Sequence, residues 1–494
     1  MAIIGGGTAG WMTATALAAH LSAENCTIRL VESEAIGTVG VGEATVPPIH
    51  RFHKGVGIAE EDFLRATKAT IKLGIHFIDW LRPGADYVHP FGGFNIDGGD
   101  YAPRGFHHLL HADEAFDAYN VQIMAGRAGK FAPKAGGRDK ALAYAYHFDA
   151  GLYAAFLRRI AEERGVSRVE GQVVDVERHP DTGFIAAVIL ADGSRIAADL
   201  FIDCSGFGGL LIERTLGAGY DDWSRWLPAD RAVAVPSARH ETPSLFTRST
   251  ARESGWQWRI PLQHRTGNGY VFSSAFLSEQ AAADALLARL DAPALAEPRT
   301  LRFVTGRRRR SWIGNCVAIG LAGGFLEPLE STGIFLIQAS IQHLLGLFPG
   351  RDCDPRLADR FNGEVAGVYE DCRDFIVAHY TCTEREDSEF WRYCKAMPLP
   401  DSLADRLDLF RTRGETLPPR GSFFGDLSWY AVLTGQGLTP GGNHPVASTL
   451  PDADRHKMLQ RARAQVALQV AAMPDYAHFL APFEATKDHS LAPA

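Results

Sequence analysis

Apolar and polar positions recur along this chain with two periods, and the switches between them lay out its elements. Ala2-Ile3-Ile4 is a short apolar run that breaks into Gly5-Gly6-Gly7-Thr8-Ala9-Gly10-Trp11, after which Ala14, Ala16, Leu17 and Ala19 continue as a helix. A second strand-like run, Thr27-Ile28-Arg29-Leu30-Val31, ends at Glu32. Apolar residues at 63, 64, 71, 75 and 78 predict a helix over 60–80, with Lys72 inside it beside the apolar stripe. Leu152, Phe156, Leu157 and Ile160 predict a helix over 151–165. Segments 169–176, 184–190 and 196–202 read as strands, with Asp192-Gly193 turning the last two into a hairpin. Strands and loops fill 230–310, a strand near 317 runs into glycine, and a long helix follows over 334–347. Further helices are expected at 355–380, 401–412 and 452–472, with a Pro- and Gly-rich loop at 415–447.

The first switch carries chemistry. Gly5, Gly7 and Gly10 form a G-x-G-x-x-G between a strand and a helix, where glycine allows a tight turn, close backbone approach to a pyrophosphate and close helix packing. The helix start at Thr8 and Ala9 then offers free N–H groups and a dipole that favours an anion. Glu32 lies about twenty residues on, where a carboxylate accepts from a ribose hydroxyl. The strand ending in Asp203-Cys204-Ser205-Gly206 and the turn at Ile319-Gly320-Leu321 are where a returning chain would meet the same cofactor, so Ile319 and Leu321 join the candidate contacts.

Bulk properties narrow the field. With 494 residues the chain is long for one compact unit, and its formal charge of −8 argues against a nucleic-acid partner. The seven cysteines are odd in number and form no CxxC or Cys/His pattern, so reduced thiols, no metal site and a cytoplasmic location are expected. A nucleotide-binding strand at the very start leaves no place for a signal peptide, and no apolar run is long enough to span a bilayer. The run Arg307-Arg308-Arg309-Arg310 reads as a solvated or salt-bridged edge.

Four further motifs complete a pattern: Gly42-Glu43-Ala44 in the glycine-rich segment 36–48, Ala69-Thr70-Ile71-Lys72, Trp256-Gln257-Trp258-Arg259-Ile260-Pro261, and Glu327-Pro328-Leu329-Glu330-Ser331-Thr332-Gly333. Together with the glycine turn they resemble the flavin-dependent tryptophan halogenase family over most of the chain. The resemblance implies an α/β (α+β) fold: a Rossmann-like FAD-binding lobe of the flavin monooxygenase type with an interwoven β-sheet at 1–345, and a mainly helical substrate-capping lobe at 346–494. It makes Lys72 the catalytic lysine and Glu330 the catalytic glutamate. Ser331, Thr332 and Gly333 become the halide site, and Gly42, Glu43 and Ala44 the loop strapped over the flavin. Trp256, Trp258 and Pro261 shield the flavin from substrate, while His89, Phe91 and Trp429 line the substrate pocket. Each has a plainer reading: a lysine beside an apolar stripe that snorkels to water, a helix-start glutamate, a buried same-face tryptophan pair, an ordinary loop histidine.

Halogenating an unactivated aromatic carbon needs an electrophilic halogen, which halide in water does not supply. Reduced flavin with oxygen and bromide or chloride yields hypohalous acid, which a lysine held from bulk water can aim and whose ring adduct a carboxylate can deprotonate. No second dinucleotide fingerprint is present for NAD(P)H, so FADH2 is expected from a separate flavin reductase. Dimers are common in the family, and a homodimer is left open. Members acting on free tryptophan carry a C-terminal lid rich in Tyr, Trp, Glu and Phe; this chain has Leu427-Ser428-Trp429-Tyr430-Ala431-Val432-Leu433-Thr434-Gly435-Gln436-Gly437-Leu438 instead. Free indole, a substituted indole or a peptide-borne aromatic is therefore expected as readily as free tryptophan. Two other functions fit the fold: an aromatic hydroxylase, excluded by a product that depends on halide, and a flavoprotein without turnover serving as a redox-linked partner.

Overall fold

The computed structural model describes residues 1–35, 42–93, 116–134, 142–419, 421–442 and 450–484. It divides into two compact units, each assembled from three stretches of chain. One comprises Met1–Ala69, Phe148–Arg225 and Arg302–Glu370, and the other Thr70–His147, Trp226–Leu301 and Asp371–Ala494. The expected serial division at 345 thus falls inside a stretch of the first unit.

The first unit is built on a six-stranded sheet ordered Trp312–Ile313, Cys316–Ala318, Phe201–Asp203, Ala2–Ile4, Arg29–Glu32, Ser167–Glu170. All neighbours are parallel except the Trp312–Ile313 edge. Strands of a parallel sheet are covered on both faces and read as continuous apolar runs, and Ala2, Ile3 and Ile4 are all buried. Helix Thr8–His20 follows the central strand directly. The expected hairpin is present, Ile185–Leu190 pairing antiparallel with Arg195–Ala197 across Asp192-Gly193. The arginine run is a salt-bridged edge: Arg307 pairs with Glu370, Arg308 with Glu213, Arg309 with Asp221 and Arg310 with Asp359.

The second unit holds a seven-stranded sheet ordered Arg299–Arg302, Arg231–Ser237, Thr266–Phe272, Gly255–Pro261, Phe246–Arg252, Gly74–Ile78, Asp86–Pro90. Helices Asp401–Arg413, Asp452–Ala471 and Tyr476–Glu484 belong to it.

Three expectations are corrected. The helix over 60–80 is only Glu60–Ala66; Thr70–Lys72 and Gly74–Ile78 are strands, so Lys72 stands on a strand and not a helix. Ile71, Leu73, Ile75 and Phe77 alternate with period two and are all fully buried, and this β signal overrides the helical spacing of 71, 75 and 78. Lys68, in the left-handed region at φ 51, breaks the chain between helix and strand. The 415–447 loop contains a helix, Asp426–Gly435, and the strand-rich 230–310 contains another, Glu279–Leu287.

Candidate active site

The nucleotide turn is dictated by what a Cβ would strike. Gly5 has φ +113, and a Cβ there would lie 2.2 Å from the carbonyl oxygen of Cys204. On Gly10 it would lie 1.9 Å from the carbonyl oxygen of Gly5, whereas on Gly7 it would meet nothing within 4 Å. Gly7 caps helix Thr8–His20 without a side-chain hydrogen bond, and the first turn carries no acidic residue. Gly7, Thr8 and Ala9 therefore present an uncapped helix start beside open space, which fits a pyrophosphate. Gly6, a residue that spacing alone does not mark, is bare for another reason: a Cβ there would fall 1.5 Å from Glu32 Oε2. Arg168 Nε donates to Glu32 Oε1 at 2.6 Å, which holds the carboxylate over the glycines with its other oxygen toward the turn. The residues present fit FAD.

The remaining expected contacts in this unit divide. Ile319 is buried and donates its N–H to Asp203 O, while Leu321 is 40% exposed. Gly320, between them at φ +73, packs against Ala9, where a Cβ would lie 2.6 Å from the alanine's own. Asp203 spends its carboxylate on the chain itself, accepting from Ser205 and from the N–H groups of Leu211 and Ile212. Gly42, Glu43 and Ala44 form a short strand, and burial pushes the Glu43 carboxyl up to about 7. Residues 36–41 of the same segment lie outside the described residues.

The residues expected to hold the halide stand at a second helix start. Glu330, buried, ends the 3-10 turn Pro328–Glu330, and Ser331 takes the left-handed conformation at φ 58 that aims the chain into helix Gly333–Gly346. A positive φ at a non-glycine residue is strain held by its surroundings. Thr332 caps that helix without a side-chain hydrogen bond, and its fully buried Oγ1 has no partner among the described residues. A buried hydroxyl left unmatched is costly. Beside it Gly333 is exposed, with nothing within 4 Å of its Cβ position. An orphaned donor next to open space at a helix start suits a small anion.

The second unit holds the other candidates. Lys72 is fully buried, which rules out the snorkelling reading, and its Nζ lies 5.0 Å from the centre of the Phe91 ring. Gly74 makes that approach feasible: a Cβ there would strike His89 O at 2.4 Å, so only glycine lets strand Asp86–Pro90 close on the lysine's segment. Phe91 N–H donates to Leu73 O, which sets the ring beside Lys72. His89 is a buried strand residue 5.3 Å from the ring of Phe375, not a loop histidine. Phe375 stacks on Phe424 at 3.8 Å and meets Trp429 edge-on at 4.8 Å. The guanidinium of Arg406 covers Trp429 at 4.2 Å, so this tryptophan belongs to a packed aromatic wall.

Trp256 and Trp258 share one face of strand Gly255–Pro261, their rings 6.2 Å apart, both buried. Trp258 lies across Gly269, where a Cβ would sit 2.0 Å from the indole. Trp256 continues into Trp80 and Trp391. The buried same-face reading of the pair is thus correct. Thr70 donates to Pro261 O at 2.6 Å, tying the end of the tryptophan strand to the lysine's strand.

A glycine-built dinucleotide turn, an orphaned donor at a helix start and a lysine buried against an aromatic ring are what a flavoprotein handling a small anion and an aromatic requires. The tryptophan halogenase family matches residues 1–452, and the chain belongs to that family. It is 39% identical over 480 residues to a 7-chloro-L-tryptophan 6-halogenase of Kutzneria sp. (strain 744), covering 88% of this chain and 90% of that one. Among solved structures it matches a flavin-dependent halogenase from Xanthomonas campestris, with 45% identity, TM-score 0.94 and coverage of 98% and 97%. It also matches one from Brevundimonas sp. BAL3, with 44% identity, TM-score 0.92 and 98% of each chain covered. The chain is a flavin-dependent halogenase using FADH2 and halide, and the hydroxylase alternative is not supported. No helix among the described residues is long and apolar enough to cross a membrane, and none of the seven cysteines forms a disulfide.

Proposed function

We propose that this halogenase directs bromination or chlorination of an indole-like aromatic through Lys72, with a separate flavin reductase providing FADH2. When bound, the flavin with oxygen and halide supplies hypohalous acid. The turn of Gly5, Gly7 and Gly10 with Glu32 would hold the cofactor, and Thr332 with the N–H groups at Gly333 would hold the halide. Lys72 then presents the halogen, either as a hydrogen-bonding ammonium or as a haloamine. From the hydrogen-bonded acid, the ring carbon's electron pair would form the carbon–halogen bond as the halogen–oxygen bond breaks and the Lys72 ammonium protonates the oxygen, which leaves as water. From a haloamine that water has already left and the Lys72 amine is the leaving group. In both routes Glu330 takes the ring proton.

The observation that carries this reading is the complete burial of Lys72 with its ammonium 5.0 Å from the centre of the Phe91 ring. A flat aromatic substrate can stack in such surroundings while the amine stays out of bulk water. The curated relative named above acts on a tryptophan derivative, which supports an indole-like ring. The helix Asp426–Gly435 stands in the segment where members acting on free tryptophan carry a lid rich in Tyr, Trp, Glu and Phe, which keeps free indole, a substituted indole and a peptide-borne aromatic beside free tryptophan as candidates.

The test is to incubate the protein with FAD, a flavin reductase, NADH and each halide against free indole, substituted indoles, tryptophan and a tryptophan-containing peptide. Mass spectrometry should show the bromine or chlorine isotope pattern in an indole product. Oxygenated product that forms regardless of halide sinks the proposal.

A further inference from the structure

Lys72 does not stand alone on its strand. Strand Thr70–Lys72 pairs antiparallel with Ala145–Asp149, placing Thr70 opposite His147 and Lys72 opposite Ala145. Residues i and i+2 share a face, so Lys72 and His147 are diagonal neighbours on one face of this ribbon. His147 is fully buried and both its ring nitrogens are engaged: Nδ1 lies 3.1 Å from Thr70 Oγ1 and Nε2 lies 2.9 Å from Thr247 Oγ1.

The directions of these bonds follow from their far end. Pro261 O can only accept, so the Thr70 hydroxyl donates its one proton there, at 2.6 Å. Thr70 Oγ1 must then accept from His147, which puts the imidazole proton on Nδ1. Nε2 is left with a lone pair and accepts from the Thr247 hydroxyl. Tyr476 braces the same corner: its hydroxyl accepts from the N–H of Ile71 at 2.7 Å and hydrogen-bonds Thr70.

We propose that His147 is a positioning residue for Lys72: a neutral imidazole with its proton on Nδ1, fixed in a one-way hydrogen-bond chain from Thr247 to Pro261, which holds the lysine's strand and adds no competing cation. Burial, and then the Lys72 charge, hold this imidazole well below its usual range. Protonating Nε2 would turn the Thr247 hydroxyl from donor to acceptor and set a second positive charge beside the first in a buried place, which disfavours it. The chain also gives the proline of the tryptophan motif a task, because its carbonyl sets the direction of the Thr70 bond and, through it, the proton on Nδ1. The inference rests on the lysine reading above, and the two fail separately.

The tautomer is read without turnover, by nitrogen-15 NMR of histidine-labelled protein assigned with His147→Asn. The expected result at neutral pH is a protonated Nδ1 and a bare Nε2; an imidazolium or the opposite tautomer overturns the proposal. In turnover, His147→Leu and Thr70→Val should lower halogenated product per FADH2 consumed on the order of 10- to 100-fold, as small misplacements of a reacting group do. Flavin consumption should stay unchanged, with the missing product recovered as free hypohalous acid. His147→Asn, which can still donate to Thr70, should restore most of the coupling. Full coupling in both His147→Leu and Thr70→Val overturns the proposal, and if those variants fail to fold, the tautomer decides. Loss of product in Lys72→Ala alongside coupled His147→Leu removes only this inference, whereas product from Lys72→Ala removes the lysine reading itself.

Discussion

The two units do chemistry with different parts of the chain. On the proposed reading the first would bind its anions mainly with backbone, although Glu32 and Glu330 also stand in it: two helix starts, Gly7–Thr8 and Thr332–Gly333, present N–H groups beside open space, and glycines keep that space clear. The second would work with side chains held away from bulk water: Lys72, Phe91, His147 and the tryptophans, each seated by residues far away in sequence. Backbone sites suit anions that several enzymes share, such as pyrophosphate and halide. Side-chain sites suit the one ring an enzyme must choose. Cofactor use should therefore be insensitive to most side-chain changes in the first unit, and product formation sensitive to Glu330 and to single side chains in the second.

Replacing Lys72 by alanine gives the largest expected effect. Halogenated product should fall by at least about 1,000-fold while FADH2 and oxygen are still consumed, since the general contribution of a group moving a proton or aiming a reagent reaches 10²–10⁴. Retained product would break the comparison outright. Next is Gly5→Ala, which forces a side chain onto φ +113 with a Cβ 2.2 Å from Cys204 O. Strain of about 1–3 kcal/mol and a displaced turn should weaken FAD binding at least about tenfold, measured by flavin fluorescence.

A third test uses pH. Burial raises the Glu43 carboxyl to about 7 in the folded protein, above its unfolded value, so folding takes up a proton. The stabilising contribution is complete below the unfolded value and is lost as pH rises toward and through 7. Flavin-free protein should lose at most about 3 kcal/mol across that window relative to Glu43→Gln, read as a pH-dependent gap between their melting temperatures. Gly269→Ala sharpens the side-chain half: its Cβ would overlap Trp258 and cost about 1–3 kcal/mol by overpacking, with a lower yield of product per flavin consumed. The smallest effect belongs to Thr332→Val. The halide KM should rise about three- to tenfold, the worth of one hydrogen bond, while the melting temperature holds or rises because an orphaned hydroxyl has gone. A lower melting temperature with an unchanged KM would remove Thr332 from the halide site.

The same contrast explains what could be read from the sequence. Gly5, Gly7, Gly10 and Glu32 were legible because a strand, a turn and a helix within some thirty residues carry the whole signal. The late helices were legible from their apolar period. Lys72 was found by motif, but its element was misread, because a run buried on both faces satisfies helical and extended spacing alike until Gly74 and the alternation of 71, 73, 75 and 77 are weighed together. Gly6, Arg168, Gly269 and His147 leave no mark in the spacing of any motif. Their roles exist only once distant strands meet: Gly6 under Glu32, Gly269 under Trp258, His147 between Thr70 and Thr247. The tripled glycine at 5–7 was the one available hint, as it held one more glycine than the turn requires.

The central strand Ala2–Ile4 pairs on one side with Arg29–Glu32 and on the other with Phe201–Asp203, which itself waits for Cys316–Ala318. At ribosomal rates of about 5–20 residues per second, the first strand emerges roughly 10–40 s before its second neighbour is made. Sticky, half-paired backbone is thus displayed while the first two hundred residues are made, and the first unit cannot finish until two stretches of the second have been translated. Chaperone supply and slow, cool expression, more than the stability of the finished enzyme, should govern how much active protein a host yields.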